Sequence, residues 1–385
     1  MVLFLPQYVK NCISVLEKAG FEAYCVGGAV RDLIMGLIPS DFDVTTNCPP
    51  DMVEKLFDRT IPTGIEHGTV TVLLDGNAIE VTTYRTEGGY SDARHPDKVT
   101  FVGNIEDDLA RRDFTVNAIA YNERRGFFDP FSGIEDIAAQ TLRTVGEARL
   151  RFSEDALRIM RLYRFASQLG FRVENATLDA ARALLPLLEK ISVERIFSEL
   201  CKTLLGKRIE KATDFFSRGG LEFLGIERCD IAPLSSLPRE RSIRFAALIK
   251  LSGSSAECLK NLKCDNLLKD EAGSLLSLLN GGLPEDKIAL KRALCSYGEG
   301  IIRKGFPLFS VLCALDCGAA EKALDEIING QEPYRLSHLA ISGEDIKAAG
   351  YNGREIGNVL SMLLEKIWAD PSLNTREKLI EIITK

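Results

Sequence analysis

At 385 residues, with 45% hydrophobic and 27% charged side chains, the chain is long for one core and has the composition of a soluble globular protein of two or more domains. No apolar run approaches the roughly 20 residues of a membrane span, and a net charge of −7 argues against a protein that coats long polyanions without selectivity, though a local basic site for RNA stays open. Ten cysteines with no CxxC pair suit a reducing cytoplasm, with neither a disulfide framework nor a zinc site.

The start, MVLFLPQYVKNCISVLEKAG, turns from apolar to amphipathic without a basic n-region or a small-residue cleavage site, so no signal peptide is expected. Short strand-like and helical runs then alternate to about residue 148. FEAYCV (21–26) predicts a strand running into Gly27-Gly28, and AVRDLIMG (29–36) a short helix ended by glycine. DFDVTT (41–46) predicts a strand, and PPDMVEKLF (49–57) a helix opened by proline. GTVTVLL (68–74) and AIEVTTY (78–84) flank Asp75-Gly76-Asn77, a hairpin turn signal. RTEGGYSDARHPDK (85–98) is polar and glycine-bearing and predicts a loop. IEDDLARRDF (105–114) predicts a helix, and TVNAIAYN (115–122) a helix start followed by a strand. Beyond residue 148 the period is helical to the end, and no strand is expected after 150. Breaks are expected around Gly206, Pro233–Pro238 and Gly330–Pro333, and Cys313 and Cys317 read as core thiols of an apolar helix.

Gly27 and Gly28 sit between a strand and a helix start, where bare backbone lets N–H groups approach an anion. Such a pair alone is most often only a turn. Asp41 and Asp43, two apart on the predicted strand, share a face, and carboxylates so close repel unless a cation lies between them. Such oxygen ligands suit magnesium, which takes one or two carboxylates plus substrate phosphates. An isolated DxD is more often a solvated strand edge; the diglycine turn upstream tips the balance toward a site. Glu80, between apolar Ile79 and Val81, is either a third converging carboxylate or an exposed strand glutamate. In DLARRDFTVNAIAYN (108–122), arginine forks at 111 and 112 suit phosphate oxygens, and Asp113 and Asn117 suit sugar hydroxyls, although RRD alone also reads as a helix-end charge cluster. In FSEDALRIMRLYRFASQLGF (152–171), Ser153 is an N-cap candidate, and Glu154 and Asp155 favour the helix start. Asp155 and Arg158, three apart, share a helix face. An acceptor and donors in that arrangement match cytosine and adenine, which both present an exocyclic amine. Arg161 and Arg164 either face RNA phosphates or form a solvated flank, the plainer expectation.

Taken together, VGGAVRDLIMG with SDFDVTT, LARRDFTVNAIAYN, FFDPFSGIEDI, EDALRIMRLYRFASQLGF, SVERIFSEL and, more weakly, LAISGEDIKAAGYNGREIGNVL resemble the class II tRNA nucleotidyltransferases. These are the bacterial CCA-adding enzyme and poly(A) polymerase family, within the polymerase-beta-like nucleotidyltransferase superfamily. The resemblance covers most of residues 20–205 and the C-terminal segment. It implies an α+β fold: a head with a mixed sheet (1–148), then an all-helical neck carrying the nucleotide-selecting helix (149–205), a body (206–330) and a tail (331–385) that grips the tRNA elbow. It implies that Asp41 and Asp43 hold two magnesium ions, with Glu80 the further catalytic candidate. Gly27, Gly28 and Arg31 would bind phosphates, with Asp32 supporting the turn. Arg112, Asp113 and Asn117 would hold the ribose and phosphates of the incoming nucleotide. Glu154, Asp155 and Arg158 match an EDxxR motif whose Asp and Arg template CTP and ATP, with Arg161 assisting, and Glu194 and Arg195 match a supporting neck motif.

The implied activity is addition of C, C and A to the tRNA 3′ end from CTP and ATP, with pyrophosphate released. A-only, CC-only and poly(A) addition are the alternatives on the same framework. The family's CC-only members shorten the loop that this chain keeps at 85–98 with Arg85, Asp92 and Arg94, and no basic extension of the poly(A) kind is present. Only three histidines, His67, His95 and His338, occur, which disfavours an appended HD phosphohydrolase. A degenerate RNA-binding protein is disfavoured by the intact acids and arginines, and a small-molecule nucleotidyltransferase by the long helical half. Expected partners are tRNA, CTP, ATP and Mg2+, with no membrane and no zinc, in the cytoplasm.

Overall fold

The amphipathic start folds as helix α1 (Gln7–Lys18), which buries Val9, Cys12, Ile13 and Leu16 along one stripe. In the computed structural model, which describes residues 2–88 and 98–384, the chain forms two compact units, Met1–Leu224 and Gly225–Lys385. They part inside the stretch read as one body, at none of the expected breaks. Among the described residues no helix is long and apolar enough to cross a membrane.

In the first unit, β1 (Ala23–Val26), α2 (Gly28–Ile34), β2 (Asp43–Thr46), α3 (Pro50–Leu56), β3 (Thr60–Gly64), β4 (Thr69–Leu74) and β5 (Asn77–Thr83) follow in turn. After them come β6 (Arg85–Gly88), β7 (Lys98–Phe101), α4 (Ile105–Ala110), β8 (Ala120–Asn122), β9 (Gly126–Phe128), α5 (Gly133–Ala138) and β10 (Thr141–Leu142). Seven strands make one sheet in the order β3-β4-β5-β2-β1-β8-β9. It is mixed, because β2 and β5 run parallel while β1 runs antiparallel to β2 and β8. Every residue of β1 is buried, as its continuous apolar run requires of a central strand. The β4–β5 hairpin closes through Asp75 and Gly76 at φ 52° and 77°, the left-handed pair that a two-residue turn of this twist needs. On one face Tyr24, Val26, Tyr84, Leu109, Ala118 and Val145 pack as a core.

Several expectations are corrected here. The two ends of the predicted loop 85–98 pair as strands β6 and β7; Asp92, Arg94 and His95 lie outside the described residues. Asp41 precedes β2 rather than lying on it, so its agreement with Asp43 does not come from strand alternation. The helix read over 105–114 stops at Ala110, which leaves Arg111, Arg112 and Asp113 on a turn.

The rest of this unit is built from α6 (Ala148–Glu154), α7 (Leu157–Leu169), β11 (Arg172–Val173), α8 (Asn175–Ala183), α9 (Val193–Leu204) and α10 (Thr213–Ser217). The single helix expected from Ser153 is in fact two. Asp155 sits at φ −139° and ψ 103° between α6 and α7, and its Oδ1 accepts from Leu157 N at 3.0 Å, which starts the second helix. Ser153, inside α6, donates instead to Arg149 O. The short β11 pairs in parallel with β10, a strand the helical period concealed. Helix α7 packs on α9; Ser167 Oγ donates to Thr203 O at 2.7 Å. A Cβ at Gly206 would meet that hydroxyl at 1.9 Å.

The second unit is wholly helical: α11 (Arg241–Ser252), α12 (Cys258–Asn261), α13 (Asn266–Gly281), α14 (Lys287–Cys313), α15 (Gly318–Asn329), α16 (Gly343–Ala348), α17 (Arg354–Ala369) and α18 (Arg376–Thr384). Gly298, at φ 79°, kinks α14. Of the two thiols read as core, Cys317 is buried but Cys313, at the end of α14, is exposed. Lys291 is buried and pairs with Glu332 at 2.7 Å. Leu363, Ile367 and Trp368 of α17 pack with Ile346 and Leu379 of its helical neighbours.

Candidate active site

Strand β1 delivers the chain to Gly27, whose φ of 79° and ψ of −137° suit only glycine. A Cβ there would meet Arg112 Nη1 at 3.0 Å, so the bare turn admits that guanidinium. One strand over, β2 places Asp43 directly opposite Val26 on one side and Glu80 on the other. Asp41 and Asp43 both line a cavity of 470 Å3, a size that suits a small-molecule ligand. Burial pushes the Asp43 carboxyl up to about 6; Arg112 opposes this, and Glu80 and Asp41 add to it. Glu80 is exposed and is absent from the cavity lining. Among the described residues no three acids, histidines or cysteines come together as a metal-ligating cluster.

Across from the acids stands a wall of arginines. Arg31, on α2, donates to Asn117 Oδ1 at 2.6 Å and to Asp32 at 2.8 Å. Asn117 in turn donates to Asp113 Oδ1 at 3.1 Å, and Arg161 Nε donates to Asp113 Oδ2 at 2.7 Å. Burial alone would raise the Asp113 carboxyl, but the Arg161 charge and these hydrogen bonds hold it at about 2. Arg111 and Arg112 share the fully buried Asp108, at 2.8 and 3.5 Å. Asp108 also accepts from Thr45 Oγ1 on β2 at 3.0 Å, so the arginine turn is tied to the strand that carries Asp43.

The third side is the break between α6 and α7. Asp155 Oδ2 accepts from Arg195 of α9 at 2.9 Å. Arg158 donates to Glu154 at 2.7 Å and to Arg111 O at 2.9 Å. Asp155 and Arg158 thus face one cavity, each held by a separate partner. Arg164 is buried, not a solvated flank: it donates to Glu199 at 3.3 Å and stacks over Phe165. Arg161 is likewise anchored on Asp113 rather than free on a surface.

Seven arginines and four aspartates line the cavity, an excess of positive charge in a chain of net charge −7. Asp32, Asp108, Glu154 and Glu199 stand behind the guanidiniums. Buried N–H donors of Arg112 and Arg195 have no hydrogen-bond partner, which is costly without an acceptor. The cavity can therefore accept an anionic ligand, beside two carboxylates.

Residues 23–143 match the family described as Poly A polymerase head domain, and residues 170–215 match that described as Probable RNA and SrmB- binding site of polymerase A. The chain is 36% identical to the CCA-adding enzyme of Latilactobacillus sakei, over 99% of each chain. It is 46% identical to that of Ligilactobacillus salivarius, over 98% of this chain and 96% of the other. The chain belongs to the CCA-adding enzyme family. A crystal structure of the Bacillus stearothermophilus CCA-adding enzyme in complex with CTP matches it with a TM-score of 0.84 at 32% identity, covering 99% of this chain and 97% of that one. The CCA-adding family comprises tRNA nucleotidyltransferases that use a divalent metal.

Every residue singled out from the sequence as nucleotide-binding or metal-holding lies on this one cavity; Glu80 alone stands outside, on the adjoining strand. The sequence reading did not find Asp108 or Phe165. Asp108 had a visible signal: an acid three and four positions before two arginines on a helix turn.

Proposed function

We propose that the chain adds C, C and A in turn to the 3′ end of tRNA, taking CTP and ATP and releasing pyrophosphate. The observation that carries this is the convergence of Asp41 and Asp43 with Asp155 and Arg158 on one cavity, in a chain that matches CCA-adding enzymes along nearly its whole length.

Asp43 supports the fit of a divalent cation: its charge is disfavoured by burial and by two neighbouring acids, and a cation relieves all three. We take the ion to be Mg2+, which accepts two carboxylates and completes its shell with phosphates and water. Asp41 and Asp43 would hold it, and when bound it would supply charge stabilisation for the attacking and leaving oxygens. The remaining work falls to the protein. Arg31 and Arg112 hold the triphosphate beside the Gly27–Gly28 turn, and Asp113 and Asn117 hold the ribose. Asp155 accepts from the exocyclic amine of cytosine or adenine while Arg158 donates to the ring, and Arg161 keeps Asp113 in place. Glu80 acts on Asp43 through its charge across the strand pair. The RNA 3′ oxygen bonds to the α-phosphorus as the bond to the bridging oxygen breaks and pyrophosphate leaves. The functional division is a head to 148, a neck to 205, a body to 330 and a tail to 385 that takes the tRNA elbow. Ten cysteines with no disulfide among the described residues suit work in the cytoplasm.

The test is extension of tRNA lacking CCA with CTP alone, ATP alone, and both. Two additions with CTP, none with ATP alone and three with both are expected. Arrest after two nucleotides with both present would indicate a CC-adding enzyme, and repeated addition from ATP alone a poly(A) polymerase. No addition in any tube overturns the proposal. Asp41→Ala should abolish transfer while the melting curve keeps its shape.

A further inference from the structure

Phe165 lines the cavity and is nearly buried, yet it has no polar atom for a nucleotide. Its surroundings are unusual. The guanidinium carbons of Arg31, Arg161 and Arg164 lie over its ring at 5.1, 5.4 and 4.2 Å from the centroid, within the reach of a cation–π attraction. The three arginines come from α2 and from α7, so the ring is where two elements bring like charges together. Their mutual repulsion is visible at Arg164: burial lowers its pKa to about 10, and the Arg161 and Arg31 charges push in the same direction. The Phe114 and Phe165 ring centroids lie 5.8 Å apart in a T-shaped arrangement, which restrains the plane of the Phe165 ring.

Each arginine already has one acid behind it: Asp32, Asp113 or Glu199. A further carboxylate in place of the ring would cancel positive charge facing the cavity. An aromatic face attracts a guanidinium through its quadrupole and leaves the full cationic charge available to a ligand. We propose that Phe165 is a positioning residue for nucleotide binding: its π face gathers Arg31, Arg161 and Arg164 against their repulsion and presents them to the triphosphate without adding a further acid to the one each already has. The proposal rests on the reading of this cavity as the nucleotide site.

The experiment replaces Phe165 alone, in the full-length chain, with 4-fluoro- and pentafluoro-phenylalanine by site-specific incorporation, and with leucine. Fluorination withdraws the ring's quadrupole and nearly preserves its shape. Kd for CTP and for CMP is measured by titration calorimetry in Mg2+ without RNA, and each chain is melted. The expected result is a stepwise loss of CTP affinity with fluorination, about 10-fold at the pentafluoro ring. CMP, which lacks the β- and γ-phosphates, should weaken much less. A flat CTP series beside a weakened Phe165→Leu chain would show that the ring only fills space, and overturns the proposal. Should the pentafluoro chain melt early, the 4-fluoro ring decides, because an unchanged CTP Kd with an unchanged melt equally overturns it. If the natural chain itself binds no CTP, the nucleotide-site reading fails, a result distinct from a flat series.

Discussion

Keeping Asp43 ionised costs the fold stability, and the cost can be measured. Its carboxyl titrates near 6 in the fold against 3.8 as an ordinary aspartate. At about 1.4 kcal/mol per pKa unit, keeping it ionised costs about 3 kcal/mol, which water at this partly exposed side chain reduces to about 2 kcal/mol. The sign follows from proton binding. Between pH 4 and 6, roughly, the folded chain binds more protons at this site than the unfolded one, so stability falls as pH rises through that window, and the full penalty applies above it. Asp43→Asn removes the charge. In EDTA at pH 8 the variant should therefore be more stable by about 2 kcal/mol, a rise of roughly 4–8 °C in the melting of a unit this size. The advantage should vanish as the pH falls through 6 toward 4. Millimolar Mg2+ should raise the natural chain's melting point and leave the variant's nearly unchanged, while the variant transfers no nucleotide. Far-UV ellipticity follows both units, and the single tryptophan, Trp368, lies in the second, so its fluorescence separates the two transitions. A variant that melts at or below the natural chain in EDTA at pH 8, or equal Mg2+ stabilisation of both, refutes the reasoning.

Other consequences are as direct. Arg195→Ala frees Asp155 from its 2.9 Å partner and should cut discrimination between CTP and UTP about 10-fold, the worth of one charged hydrogen bond, scored by single-nucleotide misincorporation. Asp108→Asn leaves two arginines beside a neutral buried amide. It should lower the stability of the first unit by about 3 kcal/mol and weaken CTP more than CMP, read from urea midpoints and calorimetry. Glu332→Ala strands the buried Lys291 and should cost the second unit about 3 kcal/mol, whereas Lys291→Met should cost less because Lys287 still neutralises Glu332. Trp368 fluorescence during denaturation reports both.

What was legible in the sequence was local. Asp75-Gly76 announced its hairpin because only a left-handed pair closes that turn, and Gly27 announced a bare turn because no other residue fits its dihedrals beside Arg112. The interruption at Asp155 was hidden because no glycine or proline marks it: the side chain itself begins the next helix by accepting from Leu157 N. Arg161 and Arg164 read as a solvated flank because their neutralising acids, Asp113 and Glu199, are 48 and 35 positions away. No helical period can show a partner on another element. The same holds for Thr45 with Asp108, 63 positions apart. Strand β6 escaped notice because Arg85-Thr86-Glu87-Gly88 has no apolar alternation, and of β7 only Lys98 falls within the 85–98 segment.

These long-range partners bear on how the proposed nucleotide site would choose a base without a nucleic-acid template. If Asp155 and Arg158 were free, each would rotate to satisfy whichever base arrived. Here Asp155 is pinned by Leu157 N on one oxygen and by Arg195 on the other, and Arg158 is pinned by Glu154 and by the carbonyl of Arg111. Only the remaining lone pairs and N–H groups, in fixed directions, are left for the ligand. A base with an acceptor where Asp155 offers an acceptor loses its hydration and gains nothing, a cost of about 1–3 kcal/mol in a buried setting. Selectivity of this kind depends on rigidity as much as on the identity of the two side chains. It follows that Glu154, which lies outside the cavity lining, and Arg195, which holds Asp155 from the lining itself, should affect nucleotide choice nearly as strongly as the residues they hold.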